Sequence, residues 1–125
     1  MAALATAAHA AHDALDAPLA PKGDPARGRE IFIAREGGHC VLCHAAPGVG
    51  VAGNIGPSLS GVASRLTAGQ IRLRIVDITR VKPNAVMPAF HRTKDLKRVA
   101  ANYAGRPALD AQQVEDLVAY LGTLE

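Results

Sequence analysis

Cys40-Val41-Leu42-Cys43-His44 constrains this chain more than any other stretch. On a helical turn, side chains at i and i+3 lie on one face, so both thiols can reach the two vinyl groups of a single porphyrin. The next residue then presents an imidazole to the iron. This spacing is the attachment signature of a c-type haem, with Cys40 and Cys43 as thioether links and His44 as proximal ligand. Other uses of the cysteines fit less well. Zinc wants four ligands, and the chain has no second cysteine pair. A thioredoxin-type redox pair belongs beside a βαβ pattern, and none is visible. A plain disulfide leaves His44 unexplained.

The composition suits a cofactor-filled core. At 125 residues the chain is long enough for one domain. Nearly half of it is hydrophobic, yet there is no Trp and only two Phe and two Tyr. Many of the apolar residues are alanines, so a wide porphyrin surface would supply what the side chains lack. Both cysteines are consumed by the motif, which leaves no thiol for sulfur chemistry; a reacting sulfur would belong to a partner. No apolar run approaches the ~20 residues that span a bilayer. The N-terminus lacks a basic n-region and a leucine-rich h-region. Because haem is attached to such proteins outside the cytoplasm, a removed export signal is expected, and Ala8-His9-Ala10 is a weak match to a cleavage remnant.

Charge is unevenly spread. Residues 65–106 carry ten basic and two acidic side chains, whereas 107–125 carry four acidic and none basic. The basic segment either steers an acidic partner or forms a solvated helix face. It has little aromatic interleaving for stacking bases, so nucleic acid is not expected as a partner.

Taken in order, residues 1–23 read as an alanine-rich tail, mobile or partner-bound, before a domain spanning 24–125. Asp24-Pro25 pairs an N-cap with a first-turn proline and predicts a helix to about Arg35, stopping at Gly37-Gly38. Gly28, Ile31 and Phe32 form its inward face. Gly28 costs about 1 kcal/mol against Ala in a helix interior unless another helix crosses closely there. A proximal histidine usually donates its second ring N–H to a backbone carbonyl, and a Gly56-Pro57 turn can supply one; an ordinary loop role for Pro57 is the alternative. Thr67 and Gln70 form a capping box before a helix with Ile71, Ile75 and Ile78 on one stripe. Arg72 and Arg74 lie off it, either solvated or, for one of them, paired with a haem propionate. Leu96 to Tyr103 reads as a short helix. Asp110 and Gln113 box a final helix whose Val114, Leu117, Val118 and Leu121 share a face, with Tyr120 beside it. This helix is expected to cross the first at Gly28.

The sixth iron ligand is sought between Thr79 and Thr93, a proline-containing loop. Pro88 biases Met87 towards extended backbone, which suits a projecting side chain. Met87 is also the sole methionine besides Met1. His91 is its serious competitor; His39 precedes Cys40 on the proximal side, and His9 and His12 sit in the tail. Met87 is the favoured reading. Methionine and histidine together raise the reduction potential and fill both axial positions, so such an iron moves electrons.

The order Gly28, Phe32, Cys-x-x-Cys-His, Gly-Pro, Met-Pro, Tyr120-Leu121 resembles class I cytochrome c over residues 24–125. That implies an all-α fold around one haem c, with His44 and Met87 as axial ligands. A narrower resemblance is carried by Gly53-Asn54-Ile55-Gly56-Pro57-Ser58-Leu59-Ser60-Gly61-Val62, by Arg72-Leu73-Arg74-Ile75-Val76-Asp77 and by Met87-Pro88-Ala89-Phe90. With residues Gln112 to Leu121, these stretches look like the SoxX family, the monohaem cytochrome subunit of the sulfur-oxidising system. The resemblance implies a heterodimer with the haem protein SoxA in the periplasm. The pair couples thiosulfate to a cysteine of the carrier SoxYZ, and SoxX passes the two released electrons to a soluble cytochrome c. The rival readings are a free-standing cytochrome shuttle, a gas-binding haem sensor with a labile sixth ligand, and a haem-free structural module.

Overall fold

A computed structural model describes residues 14–94, 105 and 107–125, and among these it is helical with no strand. Helix α1 (Pro25–Ile33) starts as its sequence requires. The extended Asp24 accepts from the N–H groups of Ala26 and Arg27, and Pro25 takes the first turn, where a missing N–H costs nothing. It ends two residues before Arg35. Ala34 is extended, and the carbonyls left over at the helix end are taken by Gly37, Gly38 and His39 N–H groups.

A 3₁₀ turn (Cys40–Leu42) and a long loop follow, then the single-turn helix α2 (Val62–Arg65). Helix α3 (Ala68–Asp77) opens with the expected reciprocal box, Thr67 with Gln70, and runs into a 3₁₀ turn (Ile78–Arg80). Helix α4 (Ala111–Leu121) opens with the Asp110–Gln113 box. The short helix expected over Leu96–Tyr103 lies outside the described residues, as do His9 and His12.

The core forms where α1 and α4 cross. A Cβ at Gly28 would overlap the Asp116 carbonyl oxygen and sit 2.7 Å from Tyr120 Cβ, so the glycine permits the expected crossing. One turn on, Phe32 meets Tyr120 edge to face, with centroids 5.6 Å apart. Phe32, Leu109, Val114 and Leu117 are fully buried around this contact, and α3 adds Ile71 and Ile75.

Of the two arginines that read as surface residues, one is buried and the other half-buried. Arg72 is neither solvated nor free to reach a propionate. It forms a two-pronged pair with Glu115, Nε to Oε2 at 2.7 Å and Nη2 to Oε1 at 2.8 Å, and both residues are buried. Arg74 is half-buried and donates to Gln70 O. Asp116 accepts from the Asp24 N–H, Gln112 and Arg27. Half of the acidic charge of the C-terminal segment is therefore turned inward.

Residues preceding Asp24 run back across these buried charges. Leu15 N–H donates to Gly69 O at 2.9 Å, and Arg72 Nη1 donates to Leu15 O at 2.6 Å. Leu19 N–H reaches Glu115 Oε2, and Lys22 O accepts from Gln112. A Cβ at Gly69 would strike Asp16, and one at Gly23 would strike the Glu115 carbonyl, so both glycines allow the backbone to lie this close. The segment 14–23 is thus a strap over α3 and α4, a placement its alanine-rich composition did not announce.

Candidate haem site

The five-residue motif folds as a tight turn. Cys43 N–H and His44 N–H both donate to Cys40 O, at 3.1 and 2.8 Å. Three residues per turn eclipse positions i and i+3, so the 3₁₀ geometry brings Cys40 and Cys43 to one side. His39 enters the turn at φ 48°, a left-handed residue that reverses the chain out of α1. No disulfide joins the two cysteines, so both sulfurs are available for thioether links. Before attachment, burial pushes the Cys40 thiol up to about 12, which keeps it neutral.

The loop after the motif closes over His44. Gly53 N–H donates to Val41 O and Gly56 N–H to Cys43 O. A Cβ at Gly56 would collide with the imidazole, which requires glycine where the backbone presses on the ring. His44 Nδ1 lies 2.7 Å from Pro57 O. A carbonyl only accepts, so Nδ1 carries the proton and Nε2 keeps its lone pair for a metal. The Gly-Pro turn supplies that carbonyl from Pro57.

Met87 is half-buried in a loop that begins and ends on the last turn of α3. On the entering side, Lys82 N–H bonds to Ile78 O and Ala85 N–H to Lys82 O. On the returning side, Phe90 N–H bonds to Ile75 O and His91 N–H to Val76 O. Asp77 accepts from Thr79 and from Arg92 at 3.3 Å, joining the two ends. His91 is tied further by Nδ1 at 2.8 Å from Leu109 O, which makes it part of the packing behind the loop.

These residues suit a porphyrin. Among the described residues, the large apolar side chains most open to solvent are Val51 at 98%, Val86 at 85%, Ile55 at 72% and Leu42 at 60%. All four belong to the motif, its loop or the Met87 loop, where an apolar plate would cover them. Buried Tyr120 holds a hydroxyl without a partner, close enough to Cys40 for the two to interact electrostatically. Among the described residues no three His, Cys, Asp or Glu side chains converge on a metal-ion site. Sequence reading missed the strap and the Arg72–Glu115 pair; its one available signal was Gly69, a glycine in the first turn of a helix, two residues after the cap.

Comparison with known proteins agrees with this geometry. The cytochrome c family profile matches residues 25–125. A chain in the crystal structure of SoxXA from P. pantotrophus superposes with a TM-score of 0.82 and 33% identity over 90% of both chains. A cytochrome c-553-like protein of Synechocystis sp. is 45% identical over 58 residues, 46% of this chain and 49% of that one. The chain thus spans about half the length of that curated relative. The chain belongs to the cytochrome c family and carries one covalent haem c through Cys40 and Cys43. The class I fold and the SoxX-type monohaem cytochrome expected from the motifs both hold.

Proposed function

We propose that this cytochrome c is the electron-transfer subunit of a SoxXA-type thiosulfate-oxidising complex, with His44 and Met87 as the axial ligands of its haem. The likeness to SoxXA over nine-tenths of both chains is the observation that carries the reading. The bound haem supplies a one-electron ferric–ferrous couple. Around it, His44, oriented by Pro57 O, would offer Nε2 to the iron, and Met87 would supply the second ligand from its pinned loop. Two such ligands would leave O₂ and sulfur species no open iron to bind.

The sulfur step then belongs to the partner haem subunit, SoxA in this reading. A carrier thiolate of SoxYZ and one thiosulfate form a new S–S bond, and two electrons leave. This chain takes them singly and hands them to a soluble cytochrome c. It has no thiol of its own to offer once Cys40 and Cys43 are bonded to haem. We assign the work to the periplasm, and no helix among the described residues is long and apolar enough to cross a membrane.

The test uses the haem-loaded full chain with the partner subunit, carrier and thiosulfate. Co-purification with the partner is expected, together with haem reduction only when all three are present. A stable monomer that ignores the partner and trades electrons with an oxidase would overturn the proposal. That outcome would favour a free-standing cytochrome shuttle.

A further inference from the structure

Met87 sits at the end of a mechanical chain whose other end is the N-terminal strap. Both ends of its loop are bonded to residues 75–78 of α3 and the turn after it. Where α3 lies therefore decides where Met87 lies. The opposite half of α3 is held from outside the helix. Gly69 O receives the Leu15 N–H, and Arg72 is clamped between Glu115 of α4 and Leu15 O of the strap. Glu115 in turn accepts the Leu19 N–H. Burial favours a neutral Glu115, but Arg72 and the Leu19 N–H outweigh it and keep the carboxylate charged. These bonds form one connected network, buried at the Arg72–Glu115 pair and part-buried where the strap joins it, so α3 is gripped where the strap crosses it.

We infer that residues Leu15–Leu19, acting through Arg72 and Glu115, are positioning residues that hold Met87 on the haem iron. The inference rests on the axial role proposed for Met87. A strap merely covering the surface would change stability without changing how readily Met87 yields its place.

Exogenous imidazole, titrated into the ferric holoprotein, competes for the sixth position and reads that cost directly. Gly69→Leu drives a side chain into Leu15 and Asp16 while leaving Arg72 and Glu115 in place; Arg72→Met removes the clamp. Each is expected to bind imidazole about tenfold more tightly than wild type and to weaken the far-red band of methionine-ligated ferric haem. Phe32→Leu, which loosens the α1–α4 core instead, is expected to leave imidazole affinity within about twofold. Met87→Ala must abolish the band and the competition. If Met87→Ala is silent, the axial assignment fails and takes this inference with it. If Met87→Ala acts but Gly69→Leu and Arg72→Met both match wild type, or Phe32→Leu matches them, the axial assignment stands and the inference is overturned. Where Arg72→Met does not fold, Gly69→Leu alone decides.

Discussion

The two loops that carry the proposed haem ligands, the histidine side with His44 and the methionine side with Met87, are built differently. The histidine side is assembled from its own neighbourhood: residues 40–57 bond to one another, from Cys43 and His44 onto Cys40 O to His44 onto Pro57 O. The methionine side borrows its rigidity. Its loop hangs on α3, and α3 is gripped by residues 15 and 115, far away in sequence. A local device can be specified by a short motif, whereas a borrowed one needs the whole domain to be folded first.

The comparison breaks most visibly on the histidine side. Replacing Cys40 and Cys43 together by Ala is expected to remove all covalent haem, read as haem-dependent staining on a denaturing gel; retained staining would mean attachment elsewhere. On the other side, Glu115→Gln leaves the Arg72 guanidinium buried beside a neutral partner. A cost of about 3 kcal/mol in denaturant unfolding is expected, and the double change Arg72→Met with Glu115→Leu should recover most of it. A double variant no better than the single would show that the charges themselves are needed.

Acid probes the same pair. For both Glu115 and Asp116 burial pushes the carboxyl up, but their donors (Arg72 and the Leu19 N–H; the Asp24 N–H, Gln112 and Arg27) hold it below the ordinary range. A group depressed on folding contributes stability above its unfolded value and loses it as pH falls through the folded one. Unfolding free energy should therefore be insensitive to these groups from neutrality down to about 4.5, the ordinary glutamate value, and fall below that. Glu115→Gln should flatten the decline; an unchanged slope would remove Glu115 from the account.

Smaller effects sharpen the contrast. Thr67→Ala, which loses the side-chain half of the α3 cap, is expected to cost about 1 kcal/mol in the same assay. Pro57→Ala keeps the carbonyl that His44 uses, so its cost should stay below about 1 kcal/mol, through unfolded-state entropy. A larger loss would mean that the ring itself positions His44.

This division also explains what could be read without coordinates. The caps at Asp24, Thr67 and Asp110, the Gly28 crossing and the His44–Pro57 turn are legible because each depends on residues within one motif or on a glycine with a single purpose. Arg72 and the strap were opaque for a physical reason. A charged residue beside an apolar stripe looks solvated until its partner is known, and Glu115 lies 43 positions away. An alanine-rich segment buries little by side chains, and this one docks through backbone groups that any sequence carries.

Pinning both ends of the Met87 loop to one turn of helix has a consequence for redesign. Residues 83–86 lie between those anchors, and a change in their number leaves the bonds of Lys82 to Ile78 and of Phe90 and His91 to Ile75 and Val76 where they are. Lengthening such a closed segment is cheap, about 0.6 kcal/mol for each doubling. Those four positions are therefore a cassette, in which length and composition can be exchanged on the way to Met87 without renegotiating the fold.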